Sequence, residues 1–259
     1  MNTVLSLAGV VIKELYRRKD FYVLFVLTAL ITLLLGSVNL FNDPKIVRYL
    51  KDVCLLLVWI SSLVIAIGTA ARQIPAELES RTIFPLLAKP VTRGQLIAGK
   101  FLGCWLACGI ALVIFYLFFA VISGVRETRW PVFNYAQALW LHWVMLGIVI
   151  AGVLLGSVVF SAPSANATIC FVMVAGILLL GGHLNSVAVR QPEPIRTITY
   201  LVYFLIPHLE WFDLRDLVIY DQDLVAWWAL GLATLYAMSY VGVLVVGGWL
   251  VFCRKTLTT

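Results

Sequence analysis

Apolar residues fill this chain in long blocks, and polar residues gather in the short gaps between them. Six blocks stand out: Phe21–Leu40, Val53–Ala71, Ala98–Ile122, Ala138–Phe160, Ala165–Leu184 and Leu224–Cys253. None contains Asp, Glu or Arg, and the one Lys is Lys100. Each is close to or above the roughly 20 helical residues that cross a bilayer. The pattern predicts an all-α membrane protein with six transmembrane helices in a single domain over residues 1–259. The last block is longer than a bilayer needs, so it is expected to tilt or to extend beyond the lipid. An even number of spans puts both termini on one side.

Ahead of the first block, Val4, Ala8, Val11, Ile12 and Leu15 recur at helical spacing, with Lys13, Arg17 and Arg18 off that stripe. Residues 1–20 therefore read as an amphipathic helix lying on the inner membrane surface and leading into the first span. The apolar stretch Val4–Ile12 precedes the positive charges, the reverse of a signal peptide's order.

Composition agrees with the pattern. The chain is 62% hydrophobic and 12% charged, with a mean hydropathy of +0.99; a soluble domain carries about twice that charge. Lys and Arg set the orientation. With both termini cytoplasmic, Lys13, Arg17, Arg18, Lys19, Arg72, Arg81, Lys89, Arg93, Lys100, Arg254 and Lys255 lie inside, which is 11 of the 19 basic residues. Four of the 13 acids join them, Glu14, Asp20, Glu77 and Glu79, so the two sides carry +7 and −1. The net +6 is a membrane-orientation signal and not the footprint of a nucleic-acid partner.

The blocks lack the deep ionisable residue that ion-coupled transporters and proton pumps keep. Lys100 is expected to snorkel to the inner interface. Any transport would then draw its energy from elsewhere. His142 and His183, near the outer ends of neighbouring spans, are either interfacial hydrogen-bonding residues or a pair of haem ligands; His208 is an ordinary polar contact of the outer segment. The five cysteines lie in or at the ends of spans, show neither disulfide nor zinc spacing, and read as small packing residues. Gly99-x-x-x-Gly103 and Gly152-x-x-x-Gly156 allow close helix approach, within the chain or between two copies.

The segment between the second and third blocks, residues 72–95, holds the densest polar pattern. Pro75 suits a first helical turn, and Glu77 and Glu79 follow where acids favour the dipole. Glu77 and Arg81 are spaced for an i,i+4 pair, while Glu79 points about 200° away from Glu77. Pro85 and Pro90 limit this helix to a few turns, over Pro75–Phe84. Thr92-x-x-Gln95 is a capping box, so the third helix should start near Thr92 and run straight into the membrane, carrying Lys100. Gly94-x-x-x-x-Gly99-Lys100 has the spacing of a phosphate-binding loop. A helix that starts before Gly94 would already bond the amides such a loop offers, and Phe101 replaces the Ser or Thr that would hold magnesium. This chain is expected to bind no nucleotide or metal there.

The stretch Glu77–Lys100, "ELESRTIFPLLAKPVTRGQLIAGK", resembles the loop signature of ABC type 2 permeases. Glu77, Glu79, Arg81, Thr82, Leu86, Leu87, Lys89, Pro90, Val91, Thr92, Arg93, Gly99 and Lys100 match it, between the second and third of six spans. "LIPHLEWFDLR", Leu205–Arg215, is similar to a segment of the copper-enzyme-maturation group, with His208 where Asn is common. The resemblance implies a permease of exporter type in a bacterial-type inner membrane. It would pair with a second permease chain, identical or related, and with two copies of a separate ATPase that holds ATP and magnesium. The short cytoplasmic helix would dock on that ATPase, with Glu77, Glu79, Arg81, Thr82, Lys89, Pro90 and Arg93 as coupling residues. Thr92, Gln95 and Lys100 would cap and anchor the next helix. The outer segment, residues 185–223, carries Pro207, Trp211, Phe212 and Asp213, and reads as a re-entrant or surface helical cap, or as a docking surface for an outer-face protein. The other readings of the chain are a haem-bearing redox anchor and a membrane scaffold with no transport cycle.

Overall fold

The computed structural model describes residues 2–17, 19–37, 44–79, 92–127 and 130–255. Among them there is no strand. The helices are α1 (Asn2–Arg17), α2 (Lys19–Ser37), α3 (Pro44–Ala70), α4 (Pro75–Glu79), α5 (Arg93–Glu127), α6 (Val132–Val159), α7 (Pro163–Arg190), α8 (Ile195–Leu205), α9 (Arg215–Ile219) and α10 (Trp227–Arg254), with a 3-10 turn at Leu209–Phe212. The described part of each of the six apolar blocks falls mainly on one long helix: α2, α3, α5, α6, α7 and α10. Five of these are long and apolar enough to cross a membrane, and the described apolar stretch of α2, Tyr22–Leu34, is shorter.

The long helices alternate in direction. One end of the bundle gathers α4, the start of α5 and the ends of α3, α6 and α10. The opposite end holds the end of α5 and the starts of α6 and α10, where Gln137 exchanges two hydrogen bonds with the Val225 backbone at 2.9 and 3.0 Å. α6 is the central rod, with Met145, Leu146 and Ile150 fully buried. α7 and α10 expose most of their apolar surface, including Met173, Leu179, Leu235 and Val243. That surface suits lipid, which is as apolar as leucine.

Because lipid offers little hydrophobic drive between helices, close packing and interhelical hydrogen bonds hold such bundles. Both are present. The indoles of Trp105 on α5 and Trp143 on α6 each donate to the other residue's carbonyl at 3.0 and 2.9 Å, with stacked rings. Gly109 and Gly147 make the room: a Cβ there would meet Trp143 at 2.5 Å and Trp105 at 3.1 Å. Thr28 on α2 bonds Ser61 on α3 at 3.0 Å.

α1 corrects one expectation. Its stripe does not lie on a lipid surface; Leu7, Ala8, Val11 and Leu15 are buried in the protein. Gly99 and Gly103 of α5 supply the seat, where a Cβ would come within 2.8 Å of Leu7 and 2.7 Å of Val11. A four-residue step on α5 matches a four-residue step on α1, so the two helices run side by side in the same direction. The Gly99/Gly103 face therefore packs within the chain. On α6, Gly156 is pressed against Asn166 of α7, whereas Gly152 opens on an apolar cavity of about 280 Å³ between α6, α7 and α10.

Candidate coupling site

The turn from α3 to α4 is sunk in the bundle. Gln73, Ile74 and Pro75 are buried, and Leu78 bonds back to Ile74 at 3.1 Å. This fixes which way α4 faces. Glu77 turns inward and meets Lys100 of α5 at 2.5 Å, with the lysine side chain 4% and the carboxylate 17% accessible. Glu79, two residues on, is exposed. The division follows from helical geometry, since residues two apart point to opposite sides.

One expectation changes here. Lys100 does not snorkel to an interface; it is buried and its charge is matched by Glu77. Glu77 is correspondingly engaged with Lys100 on the next described helix; Arg81, its expected partner, lies outside the described residues. So do Thr82, Lys89 and Pro90, together with the second half of the predicted Pro75–Phe84 helix.

Thr92 and Gln95 exchange the two hydrogen bonds of a capping box. The Thr92 amide donates to Gln95 Oε1 at 3.1 Å, and the Gln95 amide donates to Thr92 Oγ1 at 3.2 Å. Two orphan amides at the start of α5 are thereby satisfied. Gly94 to Lys100 lies wholly within α5, its glycines facing Trp249 and Leu7.

Arg93, expected as an ATPase contact, is used inside the chain. Its Nη1 donates to the carbonyls of Phe252, Cys253 and Lys255, at 2.5, 3.3 and 3.1 Å. Its guanidinium also stands 5.2 Å above the Phe252 ring. These carbonyls lie at the end of α10 and have no helical partner among the described residues. Lys255 in turn donates to Val158 O at 2.8 Å, at the end of α6, and Asn166 donates to Ala71 O at 3.4 Å, just past the end of α3. Three helix C-termini thus converge, each carrying partial negative charge, and Arg93 and Lys255 neutralise two of them. Sequence reading missed this use of Arg93 and Lys255. The signal present was the seven-residue spacing of Arg93 and Lys100.

At the opposite end the chain between α7 and α10 folds back over α3 and α6. Leu209, Phe212, Leu217 and Val218 are buried, while Trp211 and Tyr220 remain exposed and Pro207 is half-buried. Arg215 forms a two-pronged pair with Asp213 (2.7–3.0 Å), and its guanidinium stands 5.3 Å above Trp59. The Asp213 hydrogen bonds hold the Arg215 proton more firmly than usual. Every Asp, Glu and Arg was expected outside the apolar blocks; this pair is carried onto a residue of the second block, with its charges mutually balanced. Lys51, expected in an outer loop, belongs to α3 and is buried against Val218 O and Asp221 (both 3.4 Å).

The two histidines of the haem alternative have different surroundings. His142 is buried, with Nε2 2.8 Å from Ser62 Oγ and Nδ1 3.4 Å from the Tyr116 hydroxyl. His183 is exposed on α7. No group of three or more His, Cys, Asp or Glu suited to a metal occurs among the described residues.

A family model described as "ABC-2 family transporter protein" matches residues 54–255. The match is to the broad family and does not single out the copper-enzyme-maturation group. No curated relative matches the chain. A match from the second apolar helix to the end of the last one, on an all-α bundle with a short helix braced between the second and third spans, leaves one conclusion: the chain belongs to the ABC-2 transporter family, as a multi-pass membrane permease component of an ABC transporter.

Proposed function

We propose that this chain is the permease of an exporter-type transporter in a bacterial-type inner membrane, driven by a separate ATPase that docks on α4. Two permease chains and two ATPase chains make the working unit, and ATP and magnesium sit on the ATPase. Both termini and the α4 end are cytoplasmic. The observation that carries this reading is the division of labour on α4: Glu77 is committed to Lys100 inside the bundle, while Glu79 is exposed beside it. A helix of this kind is held by its own chain and still offers an acid to a basic groove.

The experiment is Glu79→Lys. On a merely solvated face it changes stability by less than about 0.5 kcal/mol and leaves assembly intact. In a docked interface, loss of a charge partner costs roughly 2–5 kcal/mol, or about 30-fold or more in affinity. The expected result is a folded, membrane-inserted permease that no longer copurifies with its ATPase or no longer couples to hydrolysis. Normal copurification and wild-type coupled turnover would remove Glu79 from the docking role.

A further inference from the structure

Arg93 and Lys100 lie seven residues apart on α5, so they share one face to within about 20°. That face grips two separate elements. Lys100 holds α4 through Glu77, and Arg93 holds the last turn of α10 through three carbonyls. Between them Gly94 admits the Trp249 indole, which a Cβ would meet at 3.4 Å. We propose that Lys100 and Arg93 are positioning residues that join α4, the start of α5 and the end of α10 into one lever. Displacement of α4 then reaches the last span directly, without passing along the chain that connects α4 to α5.

The contacts are of a kind that resists slippage. Apolar surfaces slide past one another at little cost while both stay covered. Separating Glu77 from Lys100 strands the buried lysine charge away from water, and withdrawing Arg93 takes a cationic donor from three carbonyls at the end of α10. The pieces therefore move together or pay that cost. The lever's purpose rests on the reading of α4 as the ATPase-docking element, but the lever itself is a property of the isolated chain and can be tested there.

The test is hydrogen exchange on the full chain in detergent, read at the last turn of α10, residues 249–254. Glu77→Gln cuts the near contact, between α4 and Lys100, and Arg93→Gln cuts the far one, between α5 and α10. Each is expected to speed exchange in that turn by about three- to tenfold, the scale of a lost helix-end cap. The double variant should exchange no faster than the faster single one, because both break the same connection. Arg93→Lys, which keeps a cation at the α10 end, should restore part of the protection. Residues 144–150 of α6 should be unaffected, which separates release of the lever from general loosening. If Glu77→Gln fails to fold, the paired replacement Glu77→Gln with Lys100→Met removes the buried charge without stranding its partner, and should free α10 equally. Unchanged exchange at α10 in the α4 variants, or effects that multiply in the double variant, would overturn the lever. Failure of any ATPase to bind the wild-type chain would instead refute the docking reading and leave the exchange result standing.

Discussion

A lysine in an apolar run has two ways to keep its charge, and Lys100 uses the one that its neighbours in sequence do not reveal. Snorkelling needs only a long stem and predicts that Arg would serve as well. A buried pair needs a fitted partner. Lys100→Ala removes the cation that Glu77 meets in a site only 17% accessible, and is expected to cost about 3–5 kcal/mol. Lys100→Arg overfills the same site and should cost about 1–3 kcal/mol, where a snorkelling residue would show almost nothing. Thermal unfolding of the purified chain distinguishes these outcomes, and equal stability of wild type and Lys100→Arg would return Lys100 to the interface. Thr92 follows the opposite logic. Its cap is local, its bonds run to Gln95 three residues away, and Thr92→Ala should cost about 0.5–2 kcal/mol wherever the rest of the bundle lies.

Helices meet in this chain where glycine lets them. Gly103 and Gly152 are each half of a Gly-x-x-x-Gly pattern, and spacing alone makes them equivalent. Their surroundings do not. A methyl at Gly103 would sit 2.7 Å from Val11, whereas one at Gly152 meets nothing within 4 Å. Gly103→Ala is expected to push α1 off α5 and to cost about 1–3 kcal/mol. Gly152→Ala should be neutral, or stabilising by up to about 1 kcal/mol through helix propensity. Equal effects in a melting experiment would contradict the packing of α1 described above. The apolar blocks, the short polar helix and the capping box were legible because each is written in contiguous residues. The seat of α1 was not, because Leu7 and Val11 meet α5 some ninety residues further along the chain.

The whole molecule has two unlike ends. One collects three helix C-termini with Arg93, Lys100 and Lys255 among them; the other carries Asp213–Arg215, Lys51 and the folded-back segment between α7 and α10. Lys and Arg favour the cytoplasmic side in membrane proteins, and here some of them also neutralise helix dipoles at that end. We expect the α4 end to be cytoplasmic. In a chain lacking its five cysteines, Glu79→Cys and Glu193→Cys, both exposed and at opposite ends, should react with impermeant reagents from opposite sides of sealed vesicles. Labelling of both from one side would invalidate the arrangement.

What the sequence determined by itself is what depends on composition and near neighbours: an all-α chain, apolar blocks of membrane length, a net positive balance, a helix begun at Thr92, and a loop pattern that resembles one permease family. These follow from the length scale of the bilayer and from hydrogen bonds closed within a turn. Tertiary structure alone decided which charges are buried and against what. Glu77 found Lys100 on the neighbouring helix, Arg93 found the carbonyls of Phe252 to Lys255, and Arg215, paired with Asp213, was carried onto Trp59. The physical reason is that a buried charge costs several kcal/mol unless it is paired. Its partner is therefore set by which helix end lies nearest in space, a distance that no spacing along the chain records.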